Sequence, residues 1–488
     1  MNIYQKIISA AQRNPAAPAF ISAQGYLTYG QFISLIAFAS QELHRQGVVK
    51  GDVVGVMLSH IPLHAAVVVA IAQLGGISIS LNQDIPAPEM AKRVKRFSVK
   101  YLVRTADIPP AIGVKNIEFT KINFGAGQYH FDLSKEGLPE PKSDDPARFL
   151  LTSGSTGDGQ AILHTQQSWV ERVNKTVDGI ESSSRIVLPD IYSTLGNIFL
   201  LGTLFSGAAL IVNRRATILE LITDINTYAA THLIFPPYIF QRMLEHIPEK
   251  GIAFPTVQHL RPVGSSLSKP LLDALLTRVS PNVYYPYGIS EVGAISIATP
   301  AMLKKYPRTS GKIKSWSKAE IVDENEMIVK AGEIGQIRVK VEGMTNQYYE
   351  APDVSKAKFR DGWFYSSDHG YINEEGLLFI QGRMDDLINL DGKKLFPTQL
   401  EEQIINTSHI ADCAFFTIKA KEVDQLFGAF VASRHDIDRA LANHPHLKSL
   451  LGDRYFSVAS LPRNTNGKIL RKDLVSIFSK EISEISKT

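Results

Sequence analysis

The chain reads as an α/β protein of more than one domain. A large N-terminal part of layered sheets and helices holds a small β-rich module, and a small α+β part closes the C-terminus. Three observations predict this. Apolar, β-branched runs such as "DVVGVML", "RIVLP" and "AALIV" alternate with helix-like stretches such as "HAAVVVAIAQLG" and "ILELITDINTYAA", the rhythm of largely parallel sheets. The segment "KAEIVDENEMIVKAGEIGQIRVKV" has short strands joined by Asp-Glu-Asn and Gly turns, so a β-rich module is expected at about 310–380. After the polar, glycine-bearing "GRMDD" the pattern shifts to a compact α+β tail, which puts a boundary there and divides the chain into 1–382 and 383–488.

Composition narrows the function. With 488 residues, 44% of them hydrophobic, the chain has material for several cores. A formal net charge of +4, from 52 basic and 48 acidic residues, is too balanced for a nucleic-acid partner and favours a small one. Cys413 is the sole cysteine, so no internal disulfide forms, and a buried structural thiol is expected. The opening "MNIYQKIISAAQRNP" suits an amphipathic helix better than a secretory leader, and no run approaches the ~20 apolar residues of a membrane span. A cytoplasmic protein is the expectation.

The stretch "LLTSGSTGDGQAILHT", Leu150–Thr165, carries the chemistry. Its glycines let backbone N–H groups approach a ligand closely and its hydroxyls add donors, as a phosphate cradle requires. The Gly-Lys-Ser/Thr ending of a Walker loop is missing. The stretch resembles the signature loop of the ANL superfamily of adenylate-forming enzymes, which holds acyl- and aryl-CoA ligases, adenylation domains and luciferases. Four further motifs come in that family's order: "YYPYGISEVG", "GWFYSSD", "GRMDDLINLDGKKLFP" and "LPRNTNGKILR".

The resemblance implies ATP-dependent activation of a carboxylic acid as an acyl-adenylate with release of pyrophosphate, then transfer to a thiol. It assigns the nucleotide to Thr152, Ser153, Gly154, Ser155, Thr156, Gly157 and Gln160 of the loop, with Gly264 and Ser265 of "RPVGSSL" along the base. Tyr287, Gly288 and Ser290 belong to the same site, Tyr287 as the aromatic that stacks on adenine. Glu291 is implied as the Mg²⁺ ligand, a hard oxygen donor for a hard ion, and Thr156 as its catalytic companion. Asp368 would take the ribose hydroxyls with two acceptor oxygens, and Arg383 would reach the nucleotide from the hinge side. Lys468 would bridge the carboxylate and the α-phosphate, placing an ammonium where charge grows in the transition state. Without the motifs, Asp368 and Arg383 read as surface charges.

The same resemblance implies a mobile lid that turns about Asp385 between the two half-reactions, bringing Gly392 to the side where the thiol enters. The acceptor is expected to be CoA or the phosphopantetheine of a separate carrier protein. For the acid, Tyr192, Asn197, Tyr238, Gly264 and Ile289 offer an amphipathic wall with no fixed cation, so a small or medium aliphatic or aromatic acid is expected. Tyr192 reads equally as a core aromatic with its hydroxyl satisfied. Two alternatives stay open: a stand-alone amino-acid-adenylating enzyme that loads a carrier, and a non-catalytic nucleotide- or acyl-binding relative. Gln160 stands where the family commonly has lysine, which predicts weaker ATP handling because an amide stabilises phosphate charge less than an ammonium does.

Overall fold

The computed structural model describes residues 1–83, 85–119, 140–152, 159–188, 191–212, 217–390, 393–405, 410–420, 423–463 and 467–479. The alternation of apolar runs and helices resolves into two six-stranded sheets. In the first, Lys115–Glu118, Tyr101–Arg104, Val53–Met57, Ile77–Ser80 and Pro146–Leu151 run parallel, and Ala161–Thr165 closes the edge antiparallel. The second orders His259–Pro262, His232–Phe235, Arg185–Val187, Ala209–Ile211 and Pro18–Ser22 in parallel, with Gly25–Thr28 returning as a hairpin.

The helices between these strands show why the layers hold. Ile61–Gln73 and Thr194–Ser206 are apolar around nearly their whole circumference, and both are buried almost throughout, as all-round hydrophobic helices must be. Ile61–Gln73 packs in the core that joins both sheets. Ser193 caps the second of these helices by accepting from the Gly196 amide, and Gly207 ends it at φ +81°, a conformation that costs glycine nothing. The N-terminal amphipathic helix forms as expected over Ile3–Arg13, with Ile3, Ile7, Ala10 and Ala11 buried.

The β-rich module is larger than the sequence suggested. Its antiparallel sheet begins at Tyr285–Ile289 and continues through Gly293–Ala298, Gly311–Ile313, Leu377–Arg383, Trp363–Ile372, Gly335–Val341 and Ser317–Val322. The first two strands were hidden because Tyr285–Ile289 carries Pro286 and Gly288, both poor strand formers. This sheet brings three motifs onto one frame. Asp368 pairs directly with Arg383 across neighbouring strands.

At Arg383 the chain leaves that sheet through a single turn, Met384–Asp386. The C-terminal part has its own core: the strands Asp412–Ala420, Val423–Val431 and Tyr455–Ser457, backed by the helices Pro397–Ile405, Arg434–Ala442 and Pro445–Leu451, bury Leu400, Ile404, Phe415 and Phe430. Cys413 is a free, buried thiol in this core. No helix among the described residues is long and apolar enough to cross a membrane.

Candidate active site

A cleft of about 1280 Å³ opens where the C-terminal part faces the large body, and both contribute to its walls. Of the motif residues, Thr152, Gln160, Gly264, Ser265, Tyr287, Gly288, Ile289, Ser290 and Glu291 line it from the large body, together with Asp368, Arg383 and Asp385; Lys468 lines it from the other side. Stretches scattered over more than 300 positions therefore meet in one place. Ser153, Gly154, Ser155, Thr156, Gly157 and Gly392 lie outside the described residues.

On the sheet face the side chains form a connected chain. Tyr287 donates its hydroxyl to Asp368 Oδ2 at 2.6 Å, and burial with that neighbouring carboxylate pushes the phenol well up. Arg383 Nε lies 4.0 Å from Asp368 Oδ1, while its Nη2 donates to Asp385 at 2.8 Å. Burial raises the Asp385 carboxyl, but the bond from Arg383 outweighs it and leaves the group below its ordinary value. Asp368 is thus held between a phenol and a guanidinium, where its oxygens can accept from a pair of donor hydroxyls.

Glu291 ends the turn after Tyr285–Ile289. Gly288 permits that turn, because a Cβ there would lie 2.6 Å from the Gly293 carbonyl. Tyr348 donates to Glu291 Oε1 at 2.8 Å, and buried Arg172 holds the Ser290 carbonyl at 2.7 Å. Burial lowers Arg172 to about 10 against the opposing pull of Glu291. One oxygen of Glu291 is fixed by a hydrogen bond, and no group of three metal-ligating side chains occurs among the described residues. That donor set fits Mg²⁺, which keeps waters and takes one or two carboxylates plus substrate phosphates.

Lys468 comes after Gly467, whose φ is +77° and whose Cβ, if present, would lie 2.9 Å from both Pro236 Cβ and the Tyr238 ring. Glycine is therefore what lets the lysine-bearing turn seat on the large body. Tyr238, expected along the acid pocket, is on the cleft wall at this seat. Lys468 Nζ lies 3.7 Å from Asp386; burial pushes the ammonium below its ordinary value and Asp386 opposes the shift. Further contacts clasp the two parts: Arg308 with Glu402 at 3.1 Å, the Thr398 hydroxyl on the Gln381 carbonyl at 2.9 Å, and Gln241 on the Ala411 carbonyl at 2.6 Å.

Two expected pocket residues sit elsewhere. Tyr192 donates its hydroxyl to the Leu58 carbonyl at 2.8 Å and packs edge-on against buried His64, so it is the core aromatic of the two readings. Asn197 is buried on the inner side of its helix, donating to the Ile191 carbonyl, and neither residue lines the cleft. Helix geometry explains this: Leu195, Gly196, Ile198 and Phe199 turn toward the cleft while Asn197 points into the core between sheets. The cleft wall also carries a buried cation, Arg261, that the sequence reading did not name.

Four residues with roles at the cleft were missed: Arg172, Arg261, Tyr348 and Asp386. A signal existed for two of them. Arg172 falls three positions after Trp169 on the buried face of "SWVERV", and Arg261 interrupts the apolar strand "HLRPV". A charge inside an otherwise buried pattern is unusual unless it is partnered.

The model of the AMP-binding enzyme family matches residues 8–349. The 4-coumarate–CoA ligase-like 3 protein of Arabidopsis thaliana is 23% identical over 98% of this chain and 92% of its own length. The 4-chlorobenzoate–CoA ligase of an Arthrobacter species is 23% identical over 96% and 94%. Among solved structures, ATP-bound MatB from Rhodopseudomonas palustris superposes with a TM-score of 0.85 at 19% identity, covering 99% of this chain and 100% of that one. The o-succinylbenzoate CoA synthetase of Bacillus subtilis with its acyl-adenylate gives 0.82 at 20% identity, over 97% and 98%. At these identities the structural likeness concerns the fold.

Proposed function

The chain belongs to the AMP-binding enzyme family, within the ANL superfamily of adenylate-forming enzymes, and on that premise we propose an acid–thiol ligase that works through an acyl-adenylate. A carboxylate oxygen attacks the α-phosphorus of ATP, the bond to the β-phosphate breaks, and pyrophosphate leaves. A thiol then attacks the acyl carbon and AMP leaves. The observation that supports this best is the meeting of Glu291, Asp368, Arg383 and Lys468 on one cleft from separate motifs.

Each residue has a chemical task. Asp368 accepts the ribose hydroxyls, and its bond from Tyr287 fixes which oxygen remains for them. Gly264, at φ +88°, lets the backbone come close to the base. Lys468 offers an ammonium to the carboxylate and α-phosphate oxygens as they gain charge, an electrostatic contribution that a dry cleft strengthens. Glu291, held by Tyr348, would bind Mg²⁺, and that ion would neutralise the outer phosphates.

The second half-reaction needs the lysine turn removed. The single turn at Met384–Asp386 is the narrow connection about which the C-terminal part, residues 383–488, would swing to admit the thiol. CoA is the acceptor in the names of the relatives, and the phosphopantetheine of a separate carrier protein is the alternative. The decisive test is hydroxamate-trapped pyrophosphate release from ATP and Mg²⁺ across fatty, aryl, dicarboxylic and amino acids, with Lys468→Ala as control. Release that depends on one acid class and falls in the variant supports the proposal. A folded, ATP-binding protein that releases no pyrophosphate with any acid would sink it. Supplying CoA or a carrier protein to the activated acid then identifies the acceptor.

A further inference from the structure

We propose that Arg261 reads a second carboxylate at the far end of the acid substrate, making the enzyme selective for dicarboxylic acids over matched monoacids. The inference rests on the acid-activating reading above. Arg261 lines the cleft, yet it is only 3% exposed and its Nε is buried without a hydrogen-bond partner among the described residues. Its Nη2 donates to the backbone carbonyl of Asp178, and the guanidinium lies 6.0 Å over the ring of Phe199, another cleft residue. No carboxylate is within ion-pair reach of Arg261 among the described residues. A guanidinium taken out of water needs its donors matched, and an unmatched one is costly.

The surroundings leave this end of the cleft positive. The Asp178 carboxylate is bonded by Lys314 at 2.6 Å, so one negative charge faces two positive ones. Lys314 and Asp178 also line the cleft. The neighbouring imidazoles add no charge at neutral pH: burial pushes His232 to about 3 and His259 to about 4, with Arg261 pushing both the same way. Arg261 keeps its proton, although burial lowers it to about 10. Around it stand the ring of Phe199 and the two stacked histidines, with the Asp178 carboxylate and Tyr284 as the groups whose charge opposes the effect of burial.

Placement agrees with a two-ended substrate. Arg261 lies three residues before Gly264, near the end of its strand, which puts it up to roughly 10 Å from the nucleotide side of the cleft at ~3.3 Å per residue. An acid with its reacting carboxylate at the nucleotide end would need a second group several bonds away to reach Arg261. A planar carboxylate matches the guanidinium fork in shape and charge better than a neutral carbonyl or an alkyl tail.

The test measures binding and turnover separately. Diacids of four to eight carbons and phenyl dicarboxylates are compared with monoacids of the same length, by titration calorimetry with a non-hydrolysable ATP analogue and by pyrophosphate release. The preferred diacid is expected to exceed its monoacid about 100-fold in kcat/KM, equivalent to ~2.7 kcal/mol at 1.36 kcal/mol per tenfold. Arg261→Met should erase most of that ratio, and Arg261→Lys should retain part of it. Binding of the ATP analogue checks that each variant is folded. If the methionine variant does not fold, the wild-type ratio and the lysine variant decide. Equal binding of diacids and monoacids, or a ratio that survives Arg261→Met, overturns the inference. Release confined to monoacids or amino acids overturns it while leaving the ligase reading intact. Diacid binding that depends on Arg261 without pyrophosphate release supports the site and overturns the ligase reading instead.

Discussion

The two ends of the cleft are built on different principles. At the nucleotide end, every charge already has a neighbour of opposite sign or a donor: Asp368 sits between Tyr287 and Arg383, Arg383 bonds Asp385, and Lys468 faces Asp386. At the acid end, Arg261 is buried and bonded to a backbone carbonyl, with no carboxylate in ion-pair contact among the described residues; its Nε, like that of Arg383, has no hydrogen-bond partner there. The first end has its charges paired with one another before its ligand arrives, so those residues are preorganised and lose little on binding. The second keeps a cation without a paired carboxylate, which makes the ligand part of the balance and so a source of selectivity.

The strongest way to break that comparison is at Lys468. In the proposed mechanism Lys468→Ala removes an ammonium from the transition state of the first half-reaction, and loss of one such donor typically costs roughly 10²–10³ in rate. The thiol step, assayed from a supplied acyl-adenylate, should fall far less, because in the proposed mechanism the lid would then have turned. Equal losses in both steps would mean that Lys468 holds the structure and does not serve one reaction.

Next in size is the support of Glu291. Tyr348→Phe removes the bond to Glu291 Oε1 and leaves Arg172 on the Ser290 carbonyl. A hydrogen bond to a charged group is worth ~1.5–3 kcal/mol, so the Mg²⁺ concentration for half-maximal ATP-analogue binding should rise by about tenfold or more. The structural readout is the melting temperature without nucleotide, which should move little. An unchanged Mg²⁺ requirement would show that Glu291 needs no such support.

How much of this was legible depends on chain locality. The nucleotide end is carried by short motifs, each on a turn or strand end, so Glu291, Asp368, Arg383 and Lys468 could be named from their own neighbours. The acid end is assembled from a strand, a loop after one helix and the face of another, and no window of sequence holds Arg261, Asp178, Phe199 and Lys314 together. Asn197 was misplaced, and the two readings of Tyr192 were left undivided, for the same reason. Which side of the helix Thr194–Ser206 faces the cleft depends on how it packs between two sheets, and a helix apolar on all sides gives no direction. The parallel layers were legible from the rhythm of apolar runs, whereas the early strands of the antiparallel sheet were masked by Pro286 and Gly288.

A third prediction sharpens the balance at the nucleotide end through pH. In the proposed mechanism Lys468 acts as the protonated ammonium, so activity should fade as pH rises through its folded value, which burial holds below the ordinary one. Asp386 is the charge that opposes this shift. Asp386→Asn should therefore lower the Lys468 value further and move the alkaline limb of kcat/KM toward lower pH, while Asp386→Glu keeps it near its original position. A limb that stays put in Asp386→Asn would assign it to another group.

The smallest expected effect lies at Gln160, where the nucleotide end falls short of its own pattern. Its carbonyl accepts from the Thr152 amide at 2.8 Å, and Arg96 donates to the preceding Gly159 carbonyl at 2.9 Å, so the backbone at the exit of the loop is tied down on both sides. A side-chain change there should leave the backbone at Gly159 and Gln160 in place and alter only what reaches the phosphates. Gln160 offers a neutral amide, and the cleft contains Lys468 and Arg383 as other cations near the nucleotide. Gln160→Lys adds one positive charge at a partly exposed position, where a single ion pair is worth up to about 1 kcal/mol, or several-fold in affinity. ATP should bind several-fold more tightly in the variant, more so at low salt because the gain is screened. Acid selectivity, set at the other end, should not change. A shift in the diacid-to-monoacid ratio would show that the two ends are coupled, and no gain in ATP affinity would mean that the amide already supplies all that this position gives.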